Sequence, residues 1–470
     1  IAGGNEVASL FVQPHVGGDV ALLSGVAKYL IQNEAIDKRF IEDHTDGFKE
    51  FLAFITELDW ESITRESGVE KKTIEQVAEA YLASQKTVFA WGMGLTHHVN
   101  GTENIEAISN LALLRGMIGG EGKGLLPLRG HSNVQGVGSM GFTPALKDKM
   151  FEAIERKYEV NLPTSKGMDT LACVQAAEKG EIDFAFLLGG NLHAANPDSK
   201  FSKSAMNKIP FKVMINSTLN ETHLNGVEGE NIVLPIRVRD EEQQPTTQES
   251  MFNFLRMSDG GFNRIDSLLS EVEIVTRIAI KVLGNGDVDF APFLKHKNIR
   301  LAISEIVPGF EKLAEIDESK QEFHIAGRKI DEPKFKTANG KAHFRVPRLT
   351  NWTERLWERK DLVLTSVRSE GQFNTIIYDE ADRYRNQTHR NVLFMSKQDL
   401  RLKGMQAGEL VDVESDVGKM TGLELAEFDI KPGNVMTYFP EANVLVPQGN
   451  DPRSKTPSFK SVRVSVGSSG

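Results

Sequence analysis

The sequence predicts an α/β protein of two doubly wound α/β domains followed by a compact C-terminal β-barrel. Three observations carry that prediction. A strand, a glycine turn and a helix follow one another over 87–117 and again over 182–208, the repeating unit of an open parallel sheet. The helical stretches each carry one apolar stripe, as helices laid against a sheet do. Beyond residue 360 the texture changes to short β-rich pieces separated by glycine and proline turns.

In chain order, Val20, Leu23, Ala27, Leu30 and Ile31 of VALLSGVAKYLI fall on one helical face. The start signal SGVEKKT leads into a second helix over 72–84. TVFAWGMG (87–94) is an apolar run closed by glycines, the pattern of a buried parallel strand. A long helix over 103–117 follows, ended by Gly119 and Gly120. IDFAFLLGGN (182–191), FKVMINST (211–218) and NIVLP (231–235) read as three more strands, with a short helix over 199–208. SEVEIVTRIAIKVLG (270–284) sets Val272, Val275, Ile278, Ala279 and Val282 on the stripe of a further helix. Segments 361–369, 408–415, 435–440 and 461–466 supply barrel strands. The expected division is 1–130, 131–345 and 346–466, with VPRLTNWTERLWERK (346–360) at the second seam and 467–470 a flexible tail.

Composition narrows the function classes. The 470 residues are 40% hydrophobic and 26% charged, which fits a soluble multidomain chain and excludes a disordered, collagen-like or disulfide-scaffold protein. With 55 basic and 65 acidic residues the net charge is −10, which argues against a nucleic-acid-binding surface. No apolar stretch approaches the ~20 residues of a membrane helix, and the expected location is the cytoplasm. Cys173, the one cysteine, reads as a core thiol in mid-helix. Alone it makes neither an internal disulfide nor a four-cysteine cluster. The opening IAGGNEVASLFVQPHVGGD has neither start methionine nor leader, and reads as the interior of a longer chain.

Four segments carry candidate chemistry. WGMGLTHHVNG (91–101) and LLGGNLHAANPD (187–198) each follow a strand, where an open α/β sheet presents its ligand crevice. Gly92, Gly94, Gly189 and Gly190 allow close approach of the backbone to a phosphate, and the next helix N-terminus favours an anion. Either segment alone reads equally well as a βα turn without a ligand. Together with NSTLNETHLN (216–225) they point to an extended ligand across several strand ends. Neither is the GxGxxG of a nicotinamide dehydrogenase or the GxxxxGK[ST] of a nucleotide hydrolase.

PLRGHSNVQGVGSMG (127–141) is a polar, glycine-rich stretch with little helix or strand character, a kind of loop that is usually functional when long. Arg129 offers a fixed fork of donors for a carboxylate or oxoanion, and His131 a proton shuttle near neutral pH. From spacing alone, a surface turn with an ion pair is the simpler reading. TSVRSEGQFNT (365–375) places Ser366, Arg368 and Gln372 at a strand exit, where they suit phosphates or solvent equally. His97 and His98 are adjacent and share no helical face, so a metal pair is not expected there.

Taken together, LRGHSNVQGVGSMG, WGMGLTHHVNGTENIEAISNLALLRGMIGGEGKG, LLGGNLHAANPD and TLNETHLNGVEGENIVLP resemble the large subunits of the molybdopterin oxidoreductases, the dimethyl sulfoxide reductase and formate dehydrogenase superfamily. The resemblance covers nearly the whole chain and points to a C-terminal portion of such a subunit, in the formate-dehydrogenase-like subgroup that includes an acid-resistance-associated member. It implies a bis(molybdopterin guanine dinucleotide) cofactor with molybdenum or tungsten between the α/β domains. It also implies that the barrel, of the double-psi type, binds a dinucleotide. The implied cofactor residues are Gly92, Gly94, His97, Gly189, Gly190, Asn191, Asp198, Thr218, Asn220, His223, Ser366, Arg368, Gln372, Asn443 and Lys460, with Asp198 on guanine N–H groups and Lys460 on phosphates.

Formate dehydrogenases carry a similar Arg-Gly-Gln-Asn-Asn-Val-Gln-Gly stretch whose arginine lies beside the metal. By that resemblance Arg129 holds a small anionic substrate and His131 relays its proton. His131 stands where those enzymes have glutamine, and Gln372 where many have histidine, which leaves the substrate open. No metal ligand is expected in this chain; that ligand and a 4Fe-4S segment are expected upstream of Ile1. The implied activity is a two-electron oxidation or reduction of a small, formate-like substrate, with electrons passed to an iron–sulfur centre and on to a partner protein. The fragment alone is expected to be inactive. The alternative is a truncated or non-catalytic module that binds the cofactor or a partner.

Overall fold

Leu30, Ile63, Ile74 and Leu114, all inaccessible to solvent, meet in one apolar core. They come from helices Asp19–Gln32, Trp60–Ser67, Lys71–Ala83 and Gly101–Leu114, so the predicted stripes do face a common interior. The computed structural model describes residues 8–145, 147–284, 286–349 and 362–470. The sequence readings at 1–7 and over most of 346–360 lie outside the described residues. The chain divides into two units: Ile1–Pro127 with Ala194–Lys200 and Ile330–Gly470, and Leu128–His193 with Phe201–Lys329.

In the first unit, strand Val88–Trp91 pairs in parallel with Gly124–Pro127. The expectation that it is fully buried is corrected: Phe89 packs on the helical core, whereas Val88 is half exposed. Burial alternates along the strand, with Phe89 and Trp91 partly covered and Val88 and Ala90 exposed. Lys28 is buried within the helices, and its ammonium donates to the carbonyls of Ile55 (3.1 Å) and Thr56 (3.0 Å) at the end of helix Phe48–Glu57. There the helix dipole favours a cation.

The same unit holds a closed six-stranded barrel. Its strands run in the order Leu362–Val367, Asn434–Tyr438, Val392–Met395, Lys419–Glu427, Leu410–Glu414 and Val462–Ser468. The first pairs with the second in parallel and with the last antiparallel. Inward-facing Leu364, Leu393, Val413, Leu423 and Val435 fill the interior completely. Two strands, Val392–Met395 and Lys419–Glu427, were not among those the sequence suggested. The expected tail at 467–470 is also corrected: Gly467 and Ser468 pair with Asp412 and Val411 and extend the barrel wall.

The second unit carries a parallel sheet of Phe184–Leu188, Phe211–Asn216 and Glu230–Pro235 in that order. One face is covered by Val174, Ala177 and Ala205 from helices Thr170–Glu178 and Ser199–Asn207. The other meets Ile274 and Ile278 of helix Glu271–Leu283 through Val213 and Ile215. Coverage on both faces holds for the central strand Phe211–Asn216, whereas the outer two expose Phe184, Leu188, Ile232 and Val233. The predicted stripe on that last helix is displaced: Ile274 is buried, while Val275 and Val282 are exposed. Cys173 is exposed rather than in the core, because Leu171, Val174 and Ala177 take the buried face of its helix. The 127–141 stretch is not all loop, since Val134–Ser139 forms a short helix.

Candidate functional site

The barrel strand Leu362–Val367 ends at a cavity of about 320 Å³, lined by Gly94, His97, Ser366, Arg368, Arg385, Phe439, Phe459 and Lys460 with Met93 and Val367. Five of the residues singled out from sequence therefore converge: Gly94, His97, Ser366, Arg368 and Lys460. The turn that follows strand Val88–Trp91 supplies the first two, and Gly92 and Gly94 have open space where a side chain would begin. His98, which the sequence suggested only as an unfavoured metal partner of His97, fastens that turn to the barrel. Its ring nitrogens meet Ser461 Oγ at 2.6 Å and the Gly94 carbonyl at 2.9 Å, and the Lys460 amide donates to the His97 carbonyl at 3.0 Å.

The cavity is cationic. Burial, with Arg368 and Arg385 nearby, pushes the Lys460 ammonium down to about 8, and it donates to the Ser366 carbonyl. Arg368 donates to the Phe373 carbonyl at 3.1 Å and lies 5.4 Å over the Phe439 ring. Burial also lowers its pKa. Arg385 donates from Nη1 to Asp382 Oδ2 at 2.6 Å and to the Arg368 carbonyl at 3.1 Å. His97, held down to about 4 by burial and by Lys460 and Arg368, is neutral at pH 7. Three cations against one paired carboxylate leave two positive charges uncompensated, which suits a dianion.

Behind the cavity lies a buried brace. Arg390 forks onto Glu441 at 2.6 and 3.0 Å, donates to Ser369 Oγ at 2.7 Å and the Phe439 carbonyl at 2.8 Å, and sits over the rings of Tyr378 and Tyr438. Gln372, expected to meet the cofactor, is instead spent on this brace. Its amide donates to the carbonyls of Asn374 (3.0 Å) and Phe439 (2.7 Å), and its oxygen accepts from the Ser369 amide and from Arg390.

Asn443 and Asp198 lie on two segments, 194–198 and 443–448, that contact each other elsewhere in the same unit. Asn443 Nδ2 donates to the Ala194 carbonyl at 2.6 Å, while its buried Oδ1 has no hydrogen-bond partner among the described residues. Asp198, in a left-handed conformation at φ +50°, donates its amide to the Val446 carbonyl and accepts from Gln448 Nε2 at 3.1 Å. Asp19, also not anticipated, follows Gly17 and Gly18 at the start of helix Asp19–Gln32, and burial raises its carboxyl to about 6.

In the second unit, Gly189, Gly190, Asn191, Asn220 and His223 gather at the carboxyl ends of Phe184–Leu188 and Phe211–Asn216. Gly189 and Gly190 take φ of +67° and +78° with open space beside them, a conformation that side chains disfavour. Asn220 donates to the Gly190 carbonyl at 3.0 Å, Thr222 to Asn191 Oδ1 at 2.8 Å, and the Asn220 amide to His223 Nδ1 at 3.1 Å. These side chains shape the loops, leaving backbone and the exposed Thr218 toward solvent. Arg129 and His131 are exposed and form no side-chain hydrogen bond or ion pair among the described residues. Their loop is anchored by Ser139 and Asn133 on Glu249, which also pairs with Arg328.

Residues 8–241 match the family described as Molybdopterin oxidoreductase, and residues 362–463 the one described as Molydopterin dinucleotide binding domain. The chain belongs to the molybdopterin oxidoreductase family. An uncharacterized oxidoreductase of Mycobacterium tuberculosis is 32% identical over 484 residues, 96% of this chain and 62% of that protein. The chain thus spans about three-fifths of that relative's length. The F420-dependent formate dehydrogenase subunit alpha of Methanocaldococcus jannaschii is 26% identical, over 98% of this chain and 70% of its own. Acetylene hydratase from Pelobacter acetylenicus shares the fold, with a TM-score of 0.71 and 15% identity over 98% of this chain and 72% of its own. These matches agree with the resemblance to the dimethyl sulfoxide reductase superfamily.

The residues of the cavity fit the family's cofactor. The cavity lining is drawn from both matched segments, 8–241 and 362–463. Its charged groups, Arg368, Arg385 and Lys460, are all donors suited to anionic oxygens, and the vacant side-chain positions at Gly92 and Gly94 leave room for a ligand to reach the backbone. No helix among the described residues is long and apolar enough to cross a membrane.

Proposed function

We propose that the chain is the dinucleotide-binding part of an oxidoreductase that carries molybdenum or tungsten on two molybdopterin guanine dinucleotides. The observation that carries the reading is the cavity with Arg368, Arg385 and Lys460. A pyrophosphate diester has two negative charges, matching the two uncompensated charges of the lining. Lys460 and Arg368 hold the diphosphate there, and the backbone of 92–94 approaches it closely. Asn443 and Asp198 offer acceptors for guanine N–H groups. Gly189, Gly190 and Thr218 serve the other dinucleotide from the second unit, with Asn191, Asn220 and His223 holding the loops. A division into three parts with seams near 130 and 345 belongs to this reading, supported by the second unit's limits at Leu128 and Lys329.

When bound, the cofactor supplies a metal that exchanges two electrons with substrate. Arg129 orients a small anion, formate-like in class, by paired N–H donors, and His131 accepts the proton that leaves with the electrons. Uncommitted and exposed side chains at both positions support this assignment, as does the similarity to a formate dehydrogenase alpha subunit. An iron–sulfur centre, if present, would supply the route by which the electrons leave for a partner protein. Anaerobic assay of the full-length protein with formate and a viologen acceptor tests the reading. Formate-dependent reduction that tracks metal content supports it; metal-replete protein inert toward formate and other small anions removes the substrate class.

A further inference from the structure

The carboxylate of Asp382 is wholly inaccessible to solvent, and four donors saturate it. Oδ2 accepts from Arg385 Nη1 at 2.6 Å and from the Tyr438 hydroxyl at 2.9 Å; Oδ1 accepts from the amides of Tyr384 (3.0 Å) and Glu370 (3.3 Å). Its own backbone is clamped as well, exchanging N–H···O bonds of 2.9 Å with Gln387 in both directions. Burial opposes its charge, but the bonds from Arg385, Tyr438 and Glu370 outweigh it and hold the carboxyl below its usual range. Asp382 is therefore a fixed anion, and Arg385 is the one cavity-lining residue tied to it.

We propose that Asp382 is a positioning residue: it locks Arg385 at the edge of the cavity so that this guanidinium and Arg368 meet a bound diphosphate together. The inference rests on the reading of the cavity as a diphosphate site. Arg385 commits Nη1 to Asp382 and to the Arg368 carbonyl, and no other partner of its guanidinium occurs among the described residues. Its remaining N–H groups are free for a ligand, and the backbone of Arg368 is fixed in the same stroke. Tyr438 belongs to the device, because its hydroxyl holds the same carboxylate oxygen and its ring stacks under Arg390. An unheld arginine must lose rotamer freedom when the anion binds, whereas a held one is already ordered.

The sign of one substitution separates positioning from charge. Asp382→Asn removes a negative charge close to an anion site, so by charge alone it tightens anion binding. Positioning demands the opposite. The test is calorimetric titration of the full chain with diguanosine diphosphate, a pyrophosphate diester whose charge does not change near neutral pH. We expect D382N to bind about tenfold more weakly than the parent, and R385Q to bind more weakly too. Introducing D382N into R385Q should cost nothing further, since there is no arginine left to position. A merely structural loss would lower affinity in both backgrounds. Tyr438→Phe, which removes one donor and keeps the ring, is expected to weaken binding two- to threefold, again only where Arg385 is present, and serves if D382N does not fold. Unchanged or tighter binding by D382N, or an equal loss in the R385Q background, overturns the positioning role. Failure of the parent chain to bind the diester overturns instead the diphosphate reading on which it rests.

Discussion

Replacing Lys460 with methionine gives the sharpest quantitative expectation. The ammonium is buried beside two guanidinium groups, which is why it sits at about 8 rather than in the usual lysine range. At pH 7 it is about 90% protonated and at pH 8.5 only about a quarter, taking one unit of pKa as about 1.4 kcal/mol. An anion bound in the cavity favours the protonated form, so the free protein must take up a proton to bind. Affinity for diguanosine diphosphate should accordingly be about fourfold weaker at pH 8.5 than at pH 7, with proton uptake visible as a dependence of the binding heat on the buffer. His97 beside it does not share this window, since at about 4 it stays neutral throughout. Direct attraction at ~4 Å is about 4 kcal/mol at an effective dielectric near 20. After desolvation a charge-assisted bond nets roughly 1.5–3 kcal/mol. Lys460→Met should therefore bind the diester at least about tenfold more weakly at pH 7, and its affinity should be flat from pH 7 to 8.5. A parent protein with no pH dependence, or a variant that keeps the slope, refutes the assignment of Lys460 to the diphosphate.

Three further outcomes follow from the same structure. Asp19 has a folded-state pKa raised to about 6, so ionising it penalises the fold: the protonated form's stability is fully present below pH 4 and lost as pH rises through 6. Asp19→Asn should then stabilise by about 1–3 kcal/mol at pH 8 relative to its effect at pH 4, read from denaturant midpoints; equal effects at both pH values contradict this. Arg390→Met leaves Glu441 and Ser369 Oγ without the Arg390 donor, and the Phe439 carbonyl with only Gln372; it should cost about 3–5 kcal/mol of stability by chemical unfolding, and a change under about 1 kcal/mol would show the brace to be dispensable. In the metal-replete full-length protein, Arg129→Lys keeps the charge but loses the fork, so turnover should fall by about tenfold or more with cofactor content unchanged; full turnover removes Arg129 from the chemistry.

Much of the architecture was legible because the residues repeat at the right period. Leu30 and Ala27 share a helical face, and Phe211–Asn216 is apolar at four of its six positions because helices cover both sides of this central strand. Val392–Met395 escaped notice for a related reason: four wholly buried residues show no alternation and too little length to declare a strand. In Lys419–Glu427, Gly422 and the run Leu423-Glu424-Leu425 interrupt the β pattern with residues common in turns and helices. Gly94, His97, Ser366, Arg368 and Lys460 were recognisable singly as polar groups or glycines at strand exits. That they share a cavity was not, since barrel closure joins Ser366 to Lys460 and the docking of the 92–98 turn on the barrel adds Gly94 and His97 from far away in sequence. Gln372 was misread because a strand-exit amide looks the same in sequence whether it meets a ligand or Arg390. Arg385 and Asp382 gave a faint signal in DRYR, two opposite charges three apart, which only the buried Tyr438 hydroxyl turns into a device.

The central claim, that these residues hold guanine dinucleotide forms of molybdopterin, is tested most directly by counting nucleotides. The full-length protein is purified anaerobically, its molybdenum and tungsten are quantified, and guanosine monophosphate released by mild acid is measured on the same sample. The account predicts two equivalents of guanosine monophosphate for each metal atom. Metal with pterin but no guanosine monophosphate, or a protein that carries no pterin when produced in a host able to make the cofactor, would contradict it.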